Sequence, residues 1–512
     1  MALGRRKAQQ SVLFADKRAA AEAKLLGNRL VIEHEESVRL YFTDLRHRAR
    51  QLPVSWEGGK CSVDLLDATP IAIHAYVAVP EFGYAWVTAD NKGEGYVDAR
   101  MSLAAELASS RIARCERTAD VYGLEAGLEE ARSRLSEGEV MEALTVALVA
   151  GEDIELEHAR DALESRDMTD HSWPVISATL FAERLGAYCI GVGPDWPADR
   201  TPDFLRPEEE WDLLSTLCNG TVLPNFWRWV EYERGHYRWG ALDKIVEYAQ
   251  RKKMAVKSFA IYWGGIGGTP PWFRTLSLEE RERAVERWAT DLVNRYRGRV
   301  SAWETVNEMH DWGYARSCVP HDETLRMTKL MNDLVGDLDP GTPRVINNCC
   351  IWGEYLQDWG LGGPWIPLTY LEDVMTAGVG FEGIGLQYYN PGRDLMECVQ
   401  QLDRFAAFGK DIYVTEMGTP SDPRPRGVPE TRQVDTNVGW RGPWTPERQA
   451  KWIEYWYTMA ASRTQVKLMN WWDFDDNGAF IAHAGLLDGR GQPKPSYKSL
   501  LALCRSHKMG WH

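Results

Sequence analysis

Residues 300–308 read VSAWETVNE, a short apolar run that closes on an amide and a carboxylate. Before it comes LEERERAVERWATDLVNRYRG, from Leu278, whose apolar residues recur every three or four positions as on one face of a helix. The same alternation of apolar run and helical stretch repeats to the end of the chain. Its other runs are AYCIGVG from Ala187, GTVLPNF from Gly220, MAVKSFAIY from Met254, PRVINN from Pro343, EGIGLQYY from Glu382, DIYVTE from Asp411 and VKLMNWW from Val466. Eight such units predict an α/β fold, a TIM-type (β/α)8 barrel over residues 184–512. A doubly wound sheet would carry a Gly-rich phosphate turn after its first strand, and GVGPDWP from Gly191 lacks that spacing.

Upstream the text changes character. Residues 1–27 are rich in Ala, Lys and Arg and predict a solvated leader helix or a frayed tail. Residues 28–100 hold short alternating runs, such as RLVIEHE, SVRLYF and AIHAYVAV, which predict a small antiparallel β-sandwich. Such modules accompany carbohydrate-active enzymes and serve equally as packing domains. Residues 101–183 predict a helical pair or trio that covers the sandwich or braces the barrel, with apolar faces broad enough to allow a homo-oligomer.

A chain of 512 residues with 44% apolar content is long enough for two or three compact units. Its net charge of -15 argues against nucleic acid or an anionic membrane as partner, because counterion release needs a basic surface. No apolar run approaches a membrane span, and the N-terminus lacks the apolar core of a signal peptide, so the chain as given reads as cytoplasmic; a trimmed secreted protein would read alike. Nine Cys without repeated CxxC spacing suggest neither a disulfide framework nor a zinc cage. The 23 Trp and 20 Tyr supply flat faces suited to sugar rings, although a large core uses the same residues.

In a parallel barrel the chemistry gathers at the C-terminal ends of the strands. Strand four ends on Glu308 and strand seven on Glu416, 108 positions apart across three βα units, which places them at one level of the barrel mouth. Two carboxyls in an apolar mouth cannot both ionise freely, so one becomes a proton donor and the other stays an anion. That division of labour is glycosidase chemistry.

WETVNE (Trp303–Glu308) resembles the WDVVNE signature of glycoside hydrolase family 10, and IYVTEMG resembles that family's nucleophile segment. The resemblance continues through residues 227–265, GIGLQYY and GLLDGRGQPKPSY, and spans roughly residues 187–503. It implies a retaining hydrolase of β-linked glycosides, xylanase-like, with Glu308 as acid/base and Glu416 as nucleophile. Asn307 would bond the sugar 2-hydroxyl, and Gln387 matches the family's strand-six Gln. Trp263 and one of Trp471 and Trp472 match Trp residues that wall the cleaved sugar's subsite. Family xylanases carry a Lys and a His where Phe226 and Phe259 stand, and a His where Tyr389 stands, so xylan specificity is the open point. Arg228 could restore a cation, or serve as a scaffold residue. His310 could meet the leaving-group sugar, or sit solvated in a loop.

No cofactor is expected, and no metal either, since Asp473, Asp475 and Asp476 lack EF-hand spacing. The partner implied is an oligosaccharide or polysaccharide. The alternatives are a retaining glycosidase of β-galactosidase, glucosidase or arabinofuranosidase type, and a non-catalytic sugar-binding barrel.

Overall fold

The structure, a computed structural model, describes residues 29–33, 38–57, 60–166, 173–180, 208–265, 267–311, 320–353, 365–389, 391–423, 439–477 and 479–507. The leader expected over residues 1–27 lies outside them.

The N-terminal strands are β1 (Arg29–Glu33), β2 (Arg39–Asp44), β3 (Ala49–Arg50), β4 (Val54–Glu57), β5 (Lys60–Asp64), β6 (Ile71–Val79), β7 (Gly83–Ala89) and β8 (Ala99–Ser102). They form two four-stranded sheets, ordered β4-β5-β1-β8 and β3-β2-β6-β7. The pairing is antiparallel except between β1 and β8, which run parallel, so the expectation of a purely antiparallel module is corrected there. Side chains alternate faces along a strand, and Leu30, Ile32 and Val63 of one sheet share a buried cluster with Leu40, Phe42 and Ile73 of the other. The second sheet is buried on both faces, which explains why β6 is apolar almost throughout. On its far face lie Tyr41, Tyr76 and Trp86. They meet the barrel through Arg393, whose Nη2 donates to Tyr41 Oη at 2.8 Å and whose guanidinium lies 4.6 Å from the Trp352 ring.

Helices Leu103–Tyr122, Glu129–Glu137 and Val140–Ser165 follow. The first two stop at Gly123 and Gly138, whose φ of 70° and 87° supply the left-handed residue that ends a helix. Their apolar faces are covered within the chain: Ile112, Cys115, Ala119, Leu128, Ala131, Ala147 and Ile154 pack together with Met396 of the barrel. Buried charges complete the brace. Arg111 pairs with Asp394 at 2.5 Å, Arg114 with Glu397 at 2.5 Å, and Glu152 takes Trp440 Nε1 at 2.6 Å and Arg441 Nε at 2.7 Å.

The barrel strands are β9 (Val175–Ala178), β10 (Gly220–Leu223), β11 (Ala255–Ser258), β12 (Tyr262–Trp263), β13 (Trp303–Asn307), β14 (Arg344–Asn348), β15 (Gly383–Tyr389), β16 (Asp411–Gly418) and β17 (Val466–Trp471). Every pairing is parallel. β17 joins β9, and a bridge from Lys257 to Ala302 joins β11 to β13, so the ring closes with β11 and β12 as two pieces of its third strand. The first position is held by β9, ahead of residue 184, where the expected barrel begins. The run expected there, from Ala187, lies outside the described residues. Among the described residues no helix is long and apolar enough to cross a membrane.

Candidate active site

β13 delivers Asn307 and Glu308 to the barrel mouth. Glu308 has a φ of 55°, a left-handed conformation that costs a non-glycine residue about 1–3 kcal/mol and that is retained where the surroundings over-determine it. Here its N–H donates to the Asn347 carbonyl at 3.0 Å, and its carboxylate takes Trp263 Nε1 at 3.0 Å and Gln387 Nε2 at 2.8 Å.

β16 is bulged: Leu386 pairs with Val414 but Gln387 pairs with Glu416, leaving Thr415 as the extra residue. The bulge lets two successive side chains reach one partner in the interior. Thr415 Oγ1 donates to Asn347 Oδ1 at 2.5 Å, and Asn347 Nδ2 donates to Glu416 Oε1 at 2.8 Å. Glu416 receives two more donors, Gln387 Nε2 at 3.0 Å on Oε1 and the Tyr389 hydroxyl at 2.6 Å on Oε2. Gln387 also stands 3.4 Å from Asn307 Oδ1, so one amide ties three of the expected site residues together.

Glu308 and Glu416 are 8% and 5% exposed. Burial pushes the Glu416 carboxyl well above the ordinary carboxylate range, the Glu304 and Glu308 carboxylates push the same way, and the Tyr389 hydroxyl and Lys257 oppose them. The pair therefore holds a proton under conditions where exposed carboxyls would both be ionised. Beneath it, Lys257 forms a buried ion pair with Glu304, and Asn347 Nδ2 reaches Glu304 Oε1 at 3.2 Å.

The sequence matches the family model for glycosyl hydrolase family 10 over residues 201–329 and 366–503, more than half of the chain. The chain belongs to glycosyl hydrolase family 10. It is 26% identical over 200 residues to endo-1,4-beta-xylanase 2 of Arabidopsis thaliana, a match covering 38% of this chain and 18% of that protein. It is 26% identical over 266 residues to endo-1,4-beta-xylanase C of Paenibacillus barcinonensis, covering 46% and 23%. Against endo-1,4-beta-xylanase B of Thermotoga neapolitana it is 23% identical over 290 residues, covering 54% and 77%. The chain thus spans about a fifth of the length of the first two relatives. Among solved structures, xylanase 10B from Thermotoga petrophila RKU-1 in complex with xylobiose aligns with a TM-score of 0.48 at 19% identity, over 67% of this chain and 97% of that one.

Within this family-10 site the remaining expected residues separate. Phe226 and Phe259 stack at 4.1 Å, and Phe259 lies 6.2 Å from Trp263 and 5.8 Å from Trp472, making a closed aromatic wall beside the carboxyls. Trp472 also meets Tyr389 edge-on at 6.1 Å, whereas Trp471 is core: its Nε1 donates to the Ala484 carbonyl at 2.9 Å and its ring packs on Trp452. Of the two, Trp472 is the one at the site.

Arg228, in the short helix Trp227–Val230, donates its backbone N–H to the Gly268 carbonyl at 3.2 Å, and burial first and the Arg228 positive charge second weaken the proton affinity of Arg274. His310 is buried, 3.9 Å from Cys349 Sγ and 5.9 Å from the Tyr370 ring, which corrects the expectation of a solvated loop residue. Asp473, Asp475 and Asp476 each accept backbone N–H groups of their own loop, and Asp476 also pairs with Lys494 at 2.7 Å.

Sequence reasoning passed over Asn347, Thr415, Lys257 and Glu304. A Lys and a Glu buried inside apolar strand runs were a readable signal for the last two, since a buried charge needs a partner. Nothing short of the strand register identifies Asn347 and Thr415.

Proposed function

We propose that this chain hydrolyses a β-linked glycoside with retention of anomeric configuration. One observation carries the reading. A single nitrogen, Gln387 Nε2, stands 2.8 Å from Glu308 Oε1 and 3.0 Å from Glu416 Oε1, so those oxygens are separated by no more than the sum, 5.8 Å. Retaining enzymes hold their carboxyls about 5–5.5 Å apart, and inverting ones need about 6.5–9.5 Å to admit a water.

Glu416 is the nucleophile. Three donors favour its anion, against the burial that raises its carboxyl, and fix its orientation toward the anomeric carbon. As it attacks, the glycosidic bond breaks and Glu308 passes its proton to the departing oxygen. Glu308 then takes a proton from water, which displaces Glu416 from the glycosyl ester. Asn307 faces the sugar 2-hydroxyl.

The substrate is an oligosaccharide or polysaccharide, with β-1,4-xylo-oligosaccharides first in line because the named relatives are endo-1,4-beta-xylanases. The Phe226–Phe259 wall offers no hydroxyl partner, which favours a glycone that needs none there and keeps β-glucosides and β-galactosides in the test set. The two N-terminal sheets are read as a β-sandwich, and the second braces the barrel through Tyr41, Tyr76 and Trp86.

The test is an oligosaccharide and aryl-glycoside panel with the product anomer followed by NMR. Glu308→Ala and Glu416→Ala should each abolish nearly all turnover without loss of fold. Inverted product, or a variant of normal rate, overturns the reading.

A further inference from the structure

The loop after β17 contains an acid that the reaction does not use. Asp473 is almost wholly buried, and its two oxygens accept the N–H groups of Phe480 at 2.8 Å and Ile481 at 3.2 Å. The chain is thereby drawn back on itself seven residues downstream. At the start of the loop, the Trp472 N–H is held by the Met417 carbonyl at 2.8 Å. The closed loop presents Trp472 and Phe480 to the same ring: Tyr389 lies 6.1 Å from Trp472, edge-on, and 4.6 Å from Phe480 at an interplanar angle of 52°. Tyr389 is the residue whose hydroxyl meets Glu416 Oε2 at 2.6 Å.

We infer that Asp473 is a positioning residue for the reaction: by pinning Phe480 against Tyr389 it fixes the phenol, and through the phenol it fixes the orientation of Glu416. The inference rests on the proposed role of Glu416. Of the two neighbouring acids, Asp475 accepts the Asn477 N–H at 2.7 Å, and Asp476 serves Lys494 and Gly485. A phenol ring packed on two sides has little room to swing as a whole and carry its hydroxyl off the carboxylate. Freed on the Phe480 side, it spends part of its time off the carboxylate, and misplacing a reacting group by a fraction of an ångström costs roughly tenfold or more in rate.

The test is a cycle in the full chain with Asp473→Ala, Phe480→Ala, Tyr389→Phe and the pairs of each of the first two with Tyr389→Phe. The readouts are kcat and KM on the best aryl glycoside, and the rate of labelling by a 2-fluoro glycoside followed by mass. Asp473→Ala and Phe480→Ala should each lower kcat and the labelling rate about tenfold with KM little changed, and neither should lower them further once Tyr389 is Phe. Asp473→Asn, which keeps one acceptor oxygen, should recover part of the loss. Additive losses in the Tyr389→Phe background, or a loss confined to KM, overturn the inference. Should Asp473→Ala fail to fold, the Phe480 arm decides by the same criterion. Failure of the wild type to label at all strikes the proposed function instead.

Discussion

Replacing Tyr389 by Phe removes one hydroxyl and keeps the ring between Trp472 and Phe480. The lost contact is a 2.6 Å hydrogen bond to a buried carboxylate, a charge-assisted bond of a class worth about 1.5–3 kcal/mol. Asn347 and Gln387 still hold the other oxygen, so the lower end applies, and at about 1.36 kcal/mol per pKa unit the change is about one unit. Its sign follows from the site. The hydroxyl favours the Glu416 anion against burial and against the Glu304 and Glu308 carboxylates, so its removal raises the proton affinity of Glu416 further. The acid limb of kcat/KM, followed on an aryl glycoside from pH 4 to 9, should move up by about one unit. Activity one unit below the old limb should fall about tenfold, while the alkaline plateau changes far less. A limb that stays in place, or moves down, would refute the claim that this phenol holds the nucleophile as an anion.

Three further outcomes probe the rest of the account. Arg111→Met leaves the Asp394 carboxylate buried without its cation and should cost about 3–5 kcal/mol in urea titration, most of it recovered in Arg111→Met/Asp394→Asn, which removes the charge and keeps an oxygen for the Glu397 N–H; a single variant within 1 kcal/mol of wild type, on the order set by exposed pairs, would remove this pair from the brace. Phe259→Ala empties a ring stacked on Phe226 and should destabilise by about 3–5 kcal/mol, whereas a loss below about 1 kcal/mol would mean that the wall is open to solvent. Burial raises the Asp473 carboxyl from 3.8 to about 8, so the folded chain binds its proton more tightly than the unfolded chain does. Stability from this group is therefore full below pH ~4 and is lost as pH rises toward ~8, and Asp473→Asn should flatten that slope in melting curves recorded across this range.

Seven of the eight barrel positions were legible because strands buried on both faces read as continuous apolar runs between amphipathic helices. The first was not: β9 is four residues, VISA, and a more apolar run a few residues on drew the assignment. The carboxyl pair was legible because both members end such runs. Asn347 was not, since a polar residue inside a strand reveals its direction only when neighbouring registers are known, and the β16 bulge at Thr415 shifts that register. Trp471 and Trp472 were not separable either: alternation predicts opposite faces for consecutive residues but does not say which one faces the mouth. The brace was half-read, because helix amphipathicity announces an apolar face without naming what covers it.

The most direct test of the central claim is to incubate the protein with a 2-fluoro β-xyloside bearing a good leaving group and map the adduct by peptide mass. The account predicts one added fluoroglycosyl group on the peptide that contains Glu416, absent in Glu416→Ala and released when an acceptor sugar is supplied. Turnover without any adduct, or an adduct on another residue, would contradict it.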